Sequence, residues 1–341
     1  MTSTAAQPEV APSPPRTMLE RMARLGRAVS WEDVSDRAEA EWTAPYGTAE
    51  RWDLRIENRD APGPHGPVPL RIYTPLAPAD APRPVLVFCH GGSFQHGDLD
   101  MPEGDRTARG VAGRADAVVV SVDYRLCDEP AGGSPAGRIR GTAPDLAVHA
   151  PIPCNDVIAA VDWTRASAEE LGIDPERLAL GGASAGGNLA AAASLRLAEA
   201  GRAPAASVLM YLVAHPLNPE ATEEEAAALA ELPELLRFTP EKMRRMSEAY
   251  LGGPLEGATA HEFPGLAAPA QLAALPRTYI EADEYDDLRT SARRYAEQLA
   301  EAGVEVEYAV RRGVTHGHLN KIGLPQAAAS MDRIARLLQE L

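Results

Sequence analysis

The stretch that decides the fold is 178-LALGGASAGGNLAAA-192. An apolar run stops at two glycines, one serine stands among residues with almost no side chain, and an alanine-rich helical segment follows. Residues 182–186 have the form Gly-x-Ser-x-Gly. A chain that turns from strand to helix this sharply leaves no room for a side chain two positions either side of the serine, hence Gly182 and Gly186. The bend holds out the Ser184 hydroxyl, and the helix beyond aims its free N–H groups at it. The bland alternative is a tight turn with no chemistry.

Outward from this turn, strand-length apolar runs alternate with helical segments. The runs are 84-PVLVF-88, 117-AVVVSVDY-124, 177-RLALGG-182, 207-SVLMYLV-213, 277-RTYIEA-282 and 305-EVEYAV-310. Helices are expected over 154–172, 289–303 and 326–341. Runs that are apolar on both faces, interleaved with amphipathic helices, require a parallel sheet covered on both sides, an α/β fold. Upstream, 52-WDLRIEN-58 and 68-VPLRIYTP-75 flank the turn-rich 61-APGPHGP-67 and read as two further strands.

The remaining segments set the domain organisation. Residues 1–16 contain four prolines and no apolar block; they read as a disordered tail rather than a signal peptide. Residues 17–51 read as short helices contributing to a cap, with Ser30 as an N-cap. The core spans 52–215 and 264–341. Between them, 216–263 carries helices but no clear strand, one beginning at the capping box 222-TEEE-225 and one with Pro240 in its first turn. It reads as a helical cap insertion over the open edge of the core. Residues 128–148, rich in Gly and Pro, form a long loop of a kind that is usually functional.

Bulk composition excludes several classes. The net charge of −16, with no basic stripe, argues against nucleic acid as a partner. No apolar run approaches the ~18 residues of a membrane helix. Cys89, Cys127 and Cys154 stand far apart with no CxxC, which argues against a disulfide framework or a cysteine-rich zinc site and fits a reducing cytoplasm.

A serine hydroxyl becomes a nucleophile only when a base takes its proton. The best-placed imidazole is in 313-GVTHGHLN-320, at His316, with His318 as its rival. The two could pair on a metal, but no further ligands stand at matching spacing, so no metal is expected. An acid to orient the imidazole should end the strand RTYIEA, where Asp283, Asp286 and Asp287 are the choices and two of the three read as solvated loop acids. Directly after PVLVF stands 89-CHGGSF-94. Its glycines let backbone N–H groups point at a developing oxyanion, so Gly92, Ser93 and Ala185 are candidate oxyanion donors through their amides, while His90 braces the loop.

Taken in order, 90-HGGSF-94, 122-VDYRL-126, 172-GIDPERLALGGASAGGNLA-190, 284-EYDDLR-289 and 315-THGHLN-320 resemble the hormone-sensitive-lipase-like family of α/β-hydrolases, in its bacterial carboxylesterase and acetyl hydrolase branch. The likeness runs from about residue 52 to the end. It implies an α/β-hydrolase fold and a serine esterase with neither metal nor cofactor. Ser184 falls on the family's nucleophile, His316 on its base, Asp286 on its acid, and Gly92, Ser93 and Ala185 on its oxyanion amides. Departures are Ser93 in place of a third glycine, Ala183 in place of an acid before the nucleophile, the 128–148 insertion, Leu212 in place of proline, and His318 in place of an aromatic.

The expected activity is hydrolysis of a small-molecule ester with a short or medium acyl group, specialised enough for a secondary metabolite, rising with histidine titration near pH ~6–7. Phe94, Tyr211 and His318 are candidates for substrate contact. The competing readings are acyl transfer or carboxylate elimination by the same residues, a non-catalytic small-molecule receptor on this scaffold, and an interaction protein in which Ser184 is only a turn residue. A homodimer is compatible with the sequence, and residues 128–148 are candidates to line the entrance, cover the cap or mediate it.

Overall fold

The structure, a computed structural model, describes residues 17–128 and 146–341. The expected tail at 1–16 and most of the 128–148 loop lie outside the described residues. The strands are β1 (Leu54–Ala61), β2 (Val68–Pro75), β3 (Arg83–Cys89), β4 (Val118–Val122), β5 (Ile173–Ala183), β6 (Ala206–Met210), β7 (Arg277–Tyr285) and β8 (Val306–Thr315). They form one sheet in the order β1-β2-β4-β3-β5-β6-β7-β8. The short turn at 61–67 forces β1 and β2 to run antiparallel, and β2 meets β4 antiparallel. All pairs from β4 to β8 are parallel.

Helices α1 (Met18–Leu25), α2 (Asp36–Thr43), α3 (Pro102–Ala115), α4 (Ile152–Ala166), α5 (Ala168–Leu171), α6 (Ala185–Glu199), α7 (Glu223–Ala230), α8 (Pro240–Leu251), α9 (Pro269–Leu272), α10 (Arg289–Glu301) and α11 (Pro325–Glu340) surround the sheet. Side chains of β3 divide with the two-residue period of a strand. Val85 and Val87 join one core with Val157 and Val161 of α4 and Leu189 of α6. Leu86 and Phe88 join another with Val111 of α3 and Ile334 of α11. A strand buried on both faces has no polar alternation, which is why PVLVF is continuously apolar.

Several element boundaries differ from expectation. The helix expected over 154–172 breaks at Ser167 into α4 and the single turn α5, which Gly172 ends in a left-handed conformation at φ 64°. The strand expected over 207–213 stops at Met210, because Tyr211 takes φ 36°. In the other direction β8 continues past Val310 to Thr315, which carries the chain to His316. Ser30 opens only one 3₁₀ turn, Trp31–Asp33, where the Asp33 carboxylate accepts from the Val29 and Ser30 N–H groups at 3.0 and 2.9 Å.

Within residues 216–263, the Thr222–Glu225 capping box starts α7, and Thr239 accepts from the Lys242 N–H at the start of α8. The N-terminal helices pack where β8 passes into α11: Met18 Sδ lies 3.0 Å from the Thr315 N–H, and the Tyr46 N–H donates to the Ile322 carbonyl. They also meet the insertion, through a 3.0 Å hydrogen bond from the Leu235 N–H to the Ala28 carbonyl.

The turn between β5 and α6 is where close packing is absolute. A Cβ on Gly182 would lie 2.3 Å from the Gly186 carbonyl oxygen, and one on Gly186 would lie 2.2 Å from that of His90 and 2.3 Å from that of Cys89. These are backbone atoms and cannot swing away. Gly186→Ala is therefore expected to cost about 1–3 kcal/mol of stability or more, the usual range for overpacking. Gly253→Ala, with nothing within 4 Å of its Cβ, is expected to be neutral; thermal denaturation of both variants checks the contrast.

Candidate active site

Ser184 caps α6 with φ 54° and ψ −118°, a strained conformation for a residue with a Cβ. Its backbone is held on both sides. The N–H donates to the Met210 carbonyl at 2.9 Å, and the carbonyl accepts from Asn188 and Val213. The Asn188 amide then donates to the carbonyls of Val213 and Glu262, tying the bend to the insertion. The Ser184 side remains 6% exposed.

Two loops converge on it. His316, immediately after β8, places Nε2 3.0 Å from Ser184 Oγ. Its Nδ1 lies 2.7 Å from Oδ2 of Asp286, just after β7, and Asp286 Oδ1 accepts from the Leu288 N–H. The imidazole is 19% exposed and packs against the rings of Tyr211 and Phe238 at 71° and 73°. Burial is the largest influence and opposes its protonation, but the carboxylates around it, Asp286 first and then Asp283 and Glu103, together outweigh burial and hold its pKa above the ordinary 6.5.

Residues after β3 form a concave run of amides. Gly92, Ser93 and Phe94 all have positive φ, at 117°, 54° and 64°, a conformation that turns successive N–H groups to one side. A Cβ on Gly92 would sit 2.0 Å from the His96 carbonyl oxygen, so this position admits only glycine. Among the described residues, no acceptor takes the N–H of Gly92, Ser93 or Ala185. His90 lies behind the loop, stacked on Tyr124 with Nδ1 2.7 Å from the Gly91 carbonyl.

Sequence reasoning missed Glu103. It is almost wholly buried at the start of α3, where an acid ordinarily faces solvent. Its carboxylate accepts from the Gly91 N–H, the Tyr211 hydroxyl at 2.7 Å and the Asn320 amide at 3.2 Å. Glu103 thus binds together the loops that follow β3, β6 and β8. With Ala183 buried and apolar at the bend, α3 supplies the polar tether from the far side.

The structure corrects several expectations. Asp283 and Asp287 are not solvated. Asp283 is buried against His318 Nδ1 at 2.7 Å, and Asp287 holds the Arg237 guanidinium and the Phe238 N–H. His318 also reaches Ser330 Oγ at 2.8 Å and has no accessible surface. Both of its ring nitrogens are thus engaged inside the core, away from the cavity. Tyr211 and Phe94 are equally buried, the first bonded to Glu103 and the second stacked on Tyr250 at 3.9 Å. The cavity of about 500 Å³ beside the site is lined instead by Ser93, Gln95, Leu235, Leu236, Phe238 and Met246, among others. Phe238, set edge-on to His316, carried no sequence signal beyond its place in the insertion.

The sequence profile described as alpha/beta hydrolase fold matches residues 86–131 and 143–320. The chain belongs to this family, in its hormone-sensitive-lipase-like branch. The esterase LipI of Mycobacterium tuberculosis is 34% identical over 279 residues, 81% of this chain and 78% of the relative. The carboxylesterase NlhH of the same organism is 34% identical over 292 residues, covering 82% and 81%. Among solved structures, a hyperthermophilic esterase from the archaeon Pyrobaculum calidifontis aligns with TM-score 0.69 and 29% identity over 84% of this chain and 85% of its own. A thermostable esterase from Pseudomonas putida aligns with TM-score 0.72 and 25% identity over 97% and 98%. Among the described residues no helix is long and apolar enough to cross a membrane.

The imidazole's environment makes a direct prediction. By NMR titration His316 should show a pKa above ~6.5. Asp286→Asn removes the carboxylate that raises it most and leaves burial opposed only by Asp283 and Glu103, so the pKa should fall relative to the unaltered protein.

Proposed function

We propose that this protein hydrolyses carboxylic esters of small molecules through an acyl-enzyme on Ser184. The observation that carries the reading is the hydrogen-bonded chain from Ser184 Oγ to His316 Nε2 and from His316 Nδ1 to Asp286, at 3.0 and 2.7 Å. His316 takes the hydroxyl proton as Ser184 attacks the ester carbonyl, and the imidazolium then protonates the departing alcohol. Asp286 fixes the tautomer with Nε2 free and stabilises the cation. The N–H groups of Gly92, Ser93 and Ala185 receive the negative oxygen of the tetrahedral intermediate; losing one such donor typically costs ~10²–10³ in turnover. A water deprotonated by His316 then cleaves the acyl-enzyme, releasing the acid and restoring the serine.

The ester-hydrolase names of the mycobacterial, archaeal and Pseudomonas relatives support the same chemistry. A cavity of about 500 Å³ suits a small-molecule ester with a short or medium acyl group. Ser93 lines that cavity where the family pattern has a third glycine, which narrows it and favours a specialised ester over a generic one.

Ser184→Ala should reduce turnover of an aryl acetate by about 10⁴-fold and abolish labelling by a fluorophosphonate. A loss smaller than about tenfold, or a label at another residue, would overturn the assignment. Mass spectrometry of the products separates hydrolysis, which adds water to the acyl group, from transfer to another acceptor or elimination. For the unaltered enzyme, kcat/KM should rise with pH through the elevated pKa of His316, with a midpoint above ~6.5 because the neutral imidazole is the active form.

A further inference from the structure

The cavity beside Ser184 is cationic, although the chain as a whole carries a net charge of −16. Its charged and titratable lining consists of Arg237, Lys242, Arg245 and His96, with no Asp or Glu. Arg237 is already neutralised by both oxygens of Asp287. Lys242 and Arg245 are not. Lys242 Nζ donates to the Glu234 carbonyl at 3.2 Å, and among the described residues neither cation has a carboxylate within ion-pair distance. The other acids of α8 are directed elsewhere: Glu248 pairs with Arg244 at 3.6 Å, and Glu241 is exposed outside the cavity lining.

The helical period explains how the sequence builds this wall. Lys242, Arg245 and Met246 stand at positions i, i+3 and i+4 of α8 and so share one face. That face looks across the cavity at Ser93 and Gln95, the residues of the oxyanion loop. A neutral ester would use only the apolar part of the lining, Leu235, Leu236, Phe238 and Met246. Two unpaired cations on a concave wall do something more: they raise the local concentration of an anion and hold it by charge-assisted hydrogen bonds.

We propose that this wall selects esters bearing a second, anionic group, a carboxylate being the simplest, and that Lys242 and Arg245 bind it while Ser184 attacks the ester carbonyl. The inference rests on the esterase reading above and specifies its substrate class.

The test is the ratio of kcat/KM within matched ester pairs. Mono-(p-nitrophenyl) adipate against p-nitrophenyl hexanoate places the anion on the acyl side; meta-acetoxybenzoate against phenyl acetate places it on the alcohol side. The anionic member should be favoured in at least one pair by about tenfold after correction for the uncatalysed rates. That advantage should shrink as NaCl rises from ~20 mM to ~0.5 M. Lys242→Gln and Arg245→Gln should each lower the ratio about three- to tenfold, the worth of one charge a few ångströms away in a partly solvated site. A ratio near or below one in both pairs for the unaltered enzyme overturns the proposal. So does a ratio that neither substitution moves, since a folding defect slows both members of a pair together. Fluorophosphonate labelling of Ser184, run in parallel, separates the two failures. Labelling with a ratio near one keeps the esterase and removes the anion site, whereas absence of both label and turnover removes both.

Discussion

The approach of Gly186 to the carbonyls of Cys89 and His90 is the contact on which the rest of the structure depends. It seats the first turn of α6 directly against the end of β3, with no side chain between them. Because of it, one bend holds Ser184 and Ala185 close to the loop that follows β3, where a Cβ on Gly91 would lie 3.1 Å from Ser184 Cβ. The cost is a serine held at φ 54°, and the surrounding hydrogen bonds to Met210, Asn188 and Val213 keep it there. In the mechanism proposed above, a hydroxyl placed this way needs no local rearrangement to meet a carbonyl, which is the preorganisation that electrostatic stabilisation of an oxyanion requires.

Around the bend, three neighbouring aspartates are each assigned a different cation or imidazole. Asp283 takes His318, Asp286 takes His316, and Asp287 takes Arg237. Two Ser-His-Asp sets result, Ser184-His316-Asp286 and Ser330-His318-Asp283, with similar spacings. What separates them is access. The second has no accessible surface, and its serine is also committed to Glu281, which in turn pairs with Arg311. There it knots β7, β8 and α11 together beneath the first. His318, which replaces an aromatic of the family pattern, is thereby explained as part of a buried charged network rather than as a substrate contact.

The fold was legible because its signals are local. Strands buried on both faces must be apolar throughout, and the Gly-x-Ser-x-Gly turn forbids side chains at fixed offsets. Ser184 and His316 could be read as candidates for the same reason, since each follows the end of a strand, whereas Asp286 was picked out from Asp283 and Asp287 only through the family resemblance. Less legible were residues whose environment is made by distant chain. Glu103 looks like an ordinary acid in the first turn of a helix, and only folding brings Gly91, Tyr211 and Asn320 around it. Phe94 and His318 sit close in sequence to Ser93 and His316, and Tyr211 follows β6, yet all three side chains are buried in the core. In the insertion, the helix starts were readable from Thr222 and Thr239, but the cavity face of α8 was not, because periodicity gives the face and not what it looks at.

The hold of Asp287 on Arg237 and on the Phe238 N–H has a consequence for the site beside it. It anchors residues 216–263 one position from Asp286, a second tie to this region besides that from Asn188 to Glu262. The carboxylate of Asp287 thus fixes where the chain of residues 237–238 sits relative to the Asp286–His316 pair, and Phe238 is held edge-on to His316 by the same turn.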